Sequence, residues 1–148
     1  MNVEKRIKTE SELPLIRRTI IHLLLVNNMI NEQLTKALKP YGVSMQQFNV
    51  LRILRGQAKH PANLNTLNER MVSKMSNTSR LVDKLILKGF VAREVCETNR
   101  RKIEITITQS GSEALVEMDK IISQKEIDLT AKLTDNDLKE LNILLDKF

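Results

Sequence analysis

The sequence predicts a mainly α-helical chain with one β-hairpin set between helices. Apolar residues recur at three- and four-residue spacing through most of the chain, which is the helical period. Between Phe90 and Ile107 that period gives way to alternation, with Ile103, Ile105 and Ile107 separated by Glu104 and Thr106, the mark of a half-buried strand. Helix-start signatures of the capping-box kind stand at Ser44 and Thr134, each just ahead of an apolar run.

Residues 1–10 are polar and are expected to fray. Ser11 is the expected N-cap of a first long helix, with Glu12 and Pro14 in its first turn. That helix is expected from Leu13 to Leu38 and is stopped by Pro40 and Gly42. Its stretch IIHLLLV is apolar nearly all round, so it needs more than one packing partner. Ser44 with Gln47 opens the next helix, which carries Phe48, Val50, Leu51, Ile53 and Leu54 and ends near Gly56. After the polar loop QAKHPAN comes a short helix, Leu64 to Met71, and then a helix from Met75 to Lys88 capped by Ser73 and ended by Gly89. VAREV and KIEITIT form the hairpin around the turn ETNRR. From Thr108 the chain returns to helix, with Leu115, Met118, Ile121 and Ile122. A terminal helix follows Thr134 and carries Leu138, Leu141, Leu144, Leu145 and Phe148.

Composition narrows what such a chain does. Its 148 residues, 41% of them hydrophobic, suit one domain or one domain with helical extensions. Aromatics make up only 3%, so the core is expected to be aliphatic, and the composition counts against single-stranded nucleic acid, bound on a stacking platform, as the main target. The net charge of +6 favours a polyanionic partner. Cys96 is the only cysteine, so neither an intrachain disulfide nor a cysteine-rich zinc site is available, and it reads as a small strand residue. His22 and His60 have no neighbouring Cys or carboxylate motif, and no arrangement names a nucleophile with its base. No enzyme activity, cofactor or metal is therefore expected. The charged start of the chain lacks an apolar signal region, and no apolar run approaches the ~20 residues that span a bilayer. A cytoplasmic protein with no membrane partner is expected.

The middle of the chain, helix, turn, helix and hairpin, is the winged helix-turn-helix layout, in which the second helix of the pair enters the major groove of double-stranded DNA. At 100° per residue, Met75, Thr78, Leu81, Val82, Leu85 and Ile86 fall on one side of that second helix, and Ser76, Asn77, Arg80 and Lys84 fall on the other. The second set suits DNA: arginine pairs with guanine, asparagine with adenine, and serine with a base edge or phosphate. Lys84 and Lys88 are placed for phosphates, while Leu87 does not fit the pattern. The hairpin tip adds Arg100, Arg101 and Lys102, three cations on a narrow protrusion of the kind a minor groove attracts. The competing reading is a winged-helix protein-interaction module without specific DNA binding.

The run MVSKMSNTSRLVDKLILKGFVAREVCETNRRKIEITITQSG resembles the core of the multiple-antibiotic-resistance regulator (MarR) family, through SRLVDKL, KGFVAR, and NRR followed by a strand and T-x-x-G. The flanks SMQQFNVLRIL and LTDNDLKELNILLDKF resemble it too, so the likeness runs from about residue 13 to residue 148. The resemblance implies a single chain over 1–148 with a DNA-binding lobe at 44–107 and dimerisation helices at 13–38 and 108–148. It implies a homodimer that binds pseudo-palindromic DNA, usually as a repressor. It also implies release by a small phenolic or anionic effector in a cleft between the dimer region and the DNA-binding lobe. Arg101 corresponds to the wing arginine that enters the minor groove. Asn99 stands where the family commonly has an aspartate that holds that arginine.

Overall fold

The computed structural model describes residues 2–57, 61–72, 77–95 and 103–148. Its order is α1 (Val3–Ile7), α2 (Leu15–Leu38), α3 (Met45–Gly56), α4 (Leu64–Arg70), α5 (Thr78–Leu87), β1 (Val91–Val95), β2 (Ile103–Ile107), α6 (Gln109–Thr130) and α7 (Asp135–Leu145). This is the mainly helical chain with one hairpin that the periodicity predicts.

Side-chain caps set most of the helix starts. Ser44 and Gln47 close a reciprocal box on α3: the Gln47 backbone N–H donates to Ser44 Oγ at 3.2 Å, and the Ser44 N–H donates to Gln47 Oε1 at 2.9 Å. Thr134 and Asp137 do the same for α7. There the Thr134 hydroxyl and N–H hold the Asp137 carboxyl below its ordinary range. Asn63 caps α4, and Thr108 caps α6.

Two starts differ from the sequence expectation. Residues 1–10 do not simply fray: Asn2 caps the short helix α1, Val3 is fully buried, and Glu4 pairs with Arg18 of α2 at 2.7 Å. One apolar residue and one ion pair dock this segment, a signal too small for periodicity to register. The long helix begins at Leu15 with Pro14 in the cap position and no side-chain cap, so Ser11 does not start it. Pro14 supplies a φ of -54, already close to helical, which suits the entry without a capping oxygen.

The core is built around α3, whose Phe48, Val50, Leu51 and Leu54 are buried against α2, α4, α5, α6 and β2. β1 and β2 pair antiparallel with Arg93 opposite Ile105, and Ala62 adds a bridge to the far side of Ile105 through bonds of 3.0 and 2.8 Å. The hairpin is therefore tied back to the segment that leads into α4. At the hairpin base, Thr108 donates to the Gly89 carbonyl at 2.6 Å, and its Oγ1 accepts from the Gly111 N–H at 3.0 Å. A Cβ on Gly111 would lie 2.1 Å from the Phe90 carbonyl oxygen, so only glycine fits. The T-x-x-G spacing thus seats the start of α6 directly on the entry to β1.

The two ends of α2 behave differently. Ile16 and Leu34, like Ile20 and Leu38, lie about five turns apart and share one side of the helix. Leu34 is 8% exposed and Ile16 is 82% exposed. The same stripe is core at its C-terminal end and bare at its N-terminal end. α7 buries none of its residues.

Candidate nucleic-acid interface and the cleft behind it

α5 is anchored by one side. Thr78, Val82 and Leu85 are buried, Leu81 and Ile86 pack against the core, and the Thr78 hydroxyl donates to Asn68 Oδ1 of α4. That bond fixes α5 to the helix before it, as a helix-turn-helix pair requires. The far end stops in a left-handed turn at Gly89 (φ 74), with Phe90 N–H on the Leu85 carbonyl and Gly89 N–H on the Ile86 carbonyl. The chain is thereby turned from α5 straight into β1, which sets the wing beside the helix.

The opposite side of α5 presents Arg80 and Lys84, both exposed. Neither makes an ion pair among the described residues. Leu87, which the groove pattern left unplaced, lies on this side and is 87% exposed. Two expected contacts are altered. The helix begins at Thr78 and not at Met75, with Asn77 as its cap: Asn77 Oδ1 accepts the Arg80 N–H at 3.2 Å. Asn77 therefore stands ahead of the helical face, and the oxygen needed for a bidentate adenine contact already serves the backbone. Asn77 and Ser73 are both good capping residues, so sequence alone did not separate them. Lys88 is exposed but folds back, its Nζ 3.4 Å from the Tyr41 carbonyl beside Gly42, where it joins the lobe to the turn after α2. Ser73, Met75, Ser76, Cys96, Asn99, Arg100, Arg101 and Lys102 lie outside the described residues.

Sequence reasoning missed the partner of Asp83. This carboxylate sits among the cations of α5, and Arg93 of β1 reaches it, Nη2 to Oδ1 at 2.9 Å. The pair is ionic in distance but poorly aligned: the buried Nε and Nη2 of Arg93 make no hydrogen bond among the described residues. It joins α5 to the root of the wing and neutralises the acidic group that α5 carries. Only the three-dimensional crossing of β1 past α5 brings the two together. On the same hairpin Glu94 and Glu104 are direct cross-strand neighbours, an unfavourable pairing.

α2, α3, α6 and the residues just after α4 border a half-open cleft of about 330 Å³. Met45, Phe48, Met71 and Ile122 line it with apolar surface, and Arg52 and Glu126 supply charge. Among the described residues no cluster of three metal-binding side chains occurs, and no helix is long and apolar enough to cross a membrane.

A helix pair fixed by a buried threonine, its second helix turned by a glycine into a two-stranded wing, and long helices on either side define a winged helix-turn-helix chain. Residues 43–103 match the model described as the MarR family. The transcriptional repressor MprA of Escherichia coli is 27% identical over 104 residues, which is 70% of this chain and 57% of that relative. The match thus spans little more than half the length of that curated protein. The wild-type apo form of MarR from Escherichia coli superposes with a TM-score of 0.70 at 26% identity, covering 93% of this chain and 98% of that one. A putative MarR-like transcription regulator from Bacillus cereus shares the fold at a TM-score of 0.79 and 23% identity, over 88% and 93% of the two chains. Residues 43–103 are thus similar to the MarR family, and the described chain shares the fold of solved MarR-type structures.

Proposed function

We propose that this protein is a homodimeric regulator that binds double-stranded DNA sequence-specifically and represses transcription from inverted-repeat operators in the cytoplasm. The observation that carries the reading is α5: its inner side is locked into the core while Arg80 and Lys84 project from its outer side, next to the wing, with no ion pair among the described residues. In this reading Arg80 reads a base edge in the major groove, and Lys84 neutralises phosphate. Asn77, the cap of the same helix, lies where such helices approach the bases, Ser76 adds a proposed DNA contact, and Lys88 is a secondary phosphate contact. Arg100, Arg101 and Lys102 carry the wing into the flanking minor groove.

Residues 44–107 form the DNA-binding lobe, and the helices within 13–38 and 108–148 form the dimer. Support for the dimer comes from the bare stripe of Ile16, Ile20 and Leu24 on α2 and from the exposed Leu141, Leu144 and Phe148 at the C-terminus. An isolated helix of 11 residues such as α7 is marginal in water, and the described residues of one copy bury none of its side chains, so it needs a further packing partner. A second copy supplies it with two-fold symmetry, which an inverted repeat mirrors. The cleft between α3 and α6 is the place for a small-molecule effector that releases the DNA.

The test is selection of duplex fragments by the purified protein, followed by titration of the selected duplex at rising salt. The expected result is an inverted-repeat consensus and a steep inverse dependence of affinity on salt. Failure to enrich any duplex sequence would favour a protein-interaction module.

A further inference from the structure

α5 aims two side chains straight out of the lobe. Thr78, Val82 and Leu85 are its buried residues. At 100° per residue, Arg80 and Leu87 each lie within about 15° of the direction opposite those three. Lys84 lies about 50° to one side of that direction and Asp83 about 50° to the other. Any surface that Arg80 approaches end-on is therefore met by Leu87 as well, about 10.5 Å further along the axis. Leu87 is 87% exposed and is the last residue of the helix, after which the left-handed Gly89 turns the chain away into β1. Its flanks suit approach to a polyanion: Lys84 is a cation, and the charge of Asp83 is offset by Arg93, Nη2 to Oδ1 at 2.9 Å. An alkyl side chain thus stands in the middle of a face whose other members are charged.

We propose that Leu87 is a second base-reading residue of α5, and that its partner is the 5-methyl group of a thymine about three base pairs from the pair that Arg80 reads. That spacing is the helix rise between the two residues set against the rise of the duplex. The role rests on the proposed DNA-binding function and adds to it a specificity that none of the polar contacts supplies. Its chemistry follows from what a major groove offers an alkyl group. A leucine neither donates nor accepts a hydrogen bond. Seated against guanine or cytosine it would take O6, N7 or the N4 amino group out of water without a replacement partner. Thymine alone places an apolar group on that edge. Removing one methyl and its leucine cover from water contributes about fourfold in affinity per half-site. The deoxyribose also offers C–H surface to a leucine, but it is the same at every base and carries no sequence information.

The test uses the full chain and the duplex that it selects. Leu87→Ala is expected to relax the selected consensus at one thymine per half-site, about three base pairs from the position that Arg80→Ala relaxes. Deoxyuridine is then placed at each thymine in turn, which removes the methyl and leaves every hydrogen-bonding group in place. At the thymine that Leu87 reads, it is expected to weaken binding by the unaltered protein about fourfold per half-site and to leave binding by Leu87→Ala unchanged. No methyl effect at any thymine, an effect of equal size in both proteins, or a consensus without thymine at that distance would overturn the proposal. Unchanged DNA affinity of Leu87→Ala with altered self-association in sedimentation would also overturn it and give the residue to a protein contact. Leu87 has little packing to lose, so the variant is expected to unfold in denaturant as the unaltered protein does. Should it not fold, the deoxyuridine series on the unaltered protein still decides. A protein that selects no duplex contradicts the proposed function itself, whereas a selected duplex indifferent to the methyl contradicts only the role of Leu87.

Discussion

The lobe around α3 closes on its own side chains, whereas the N-terminal half of α2 and most of α7 leave large apolar side chains exposed. Phe48 at the centre of the lobe is 1% exposed; Phe148, just beyond α7, is 85% exposed. Both are the same residue type in helical surroundings, so the difference lies in what covers them. The lobe is complete within one copy of the chain. The helical extensions carry apolar stripes that the described residues of one copy leave largely uncovered. In our account the cover is a second copy, and the division of labour is reading DNA in one region and setting the spacing of two readers in the other.

The comparison is broken most severely by charging the bare stripe. Ile20→Glu with Leu144→Glu is expected to give a monomer in sedimentation and to weaken operator binding on the order of 100-fold, since the second half-site is no longer engaged intramolecularly. The lobe is expected to stay folded. Unchanged dimers would place the interface elsewhere. A contrast of two truncations sharpens the same point. Phe48→Ala is expected to cost about 3–5 kcal/mol in denaturant unfolding. Phe148→Ala is expected to leave the unfolding of the lobe unchanged and to raise the concentration at which dimers form.

Arg80→Ala is expected to cost roughly 1–3 kcal/mol of discrimination at one base pair per half-site. Equal weakening toward all sequences would remove Arg80 from the base edge. At the wing, Arg101→Ala is expected to weaken all operator variants alike and to flatten the log affinity against log salt line by up to about 2 per dimer. Asn99→Asp is expected to tighten binding by ordering Arg101; weaker binding would leave Asn99 an ordinary turn residue. The smallest expected effect is at the α7 cap. Because the Asp137 carboxyl is held below its ordinary range, its contribution is full above that range and is lost as pH falls through its depressed native value. Acidification is therefore expected to fray α7 before the lobe, read as helix loss that Asp137→Asn makes independent of pH.

Which features were legible in the sequence follows from how local their causes are. The capping boxes at Ser44 and Thr134, the alternation through Ile103 to Ile107 and the glycine after α5 each act within a few residues, and the structure has them where the pattern places them. The inner face of α5 was legible for the same reason. The start of α5 was not, because two capping residues compete within one turn. Docking of α1 rests on Val3 and the Glu4–Arg18 pair, a contact across a loop with no periodic trace. The Asp83–Arg93 tie and the Arg52, Arg55 and Asp119 group join separate elements, so they exist only once the helices have crossed. The role of Gly111 sits between these cases: the spacing to Thr108 was visible, but its cause is the Phe90 carbonyl pressed against it.

The mass and spacing dependence of the DNA complex test the central claim most directly. Light scattering on the selected duplex is expected to give two chains per inverted repeat. Insertion of half a helical turn, roughly 5 base pairs, between the half-sites is expected to abolish tight binding by moving one half-site to the opposite face of the duplex. One chain per duplex, bound equally well to a single half-site and to either spacing, would contradict the account.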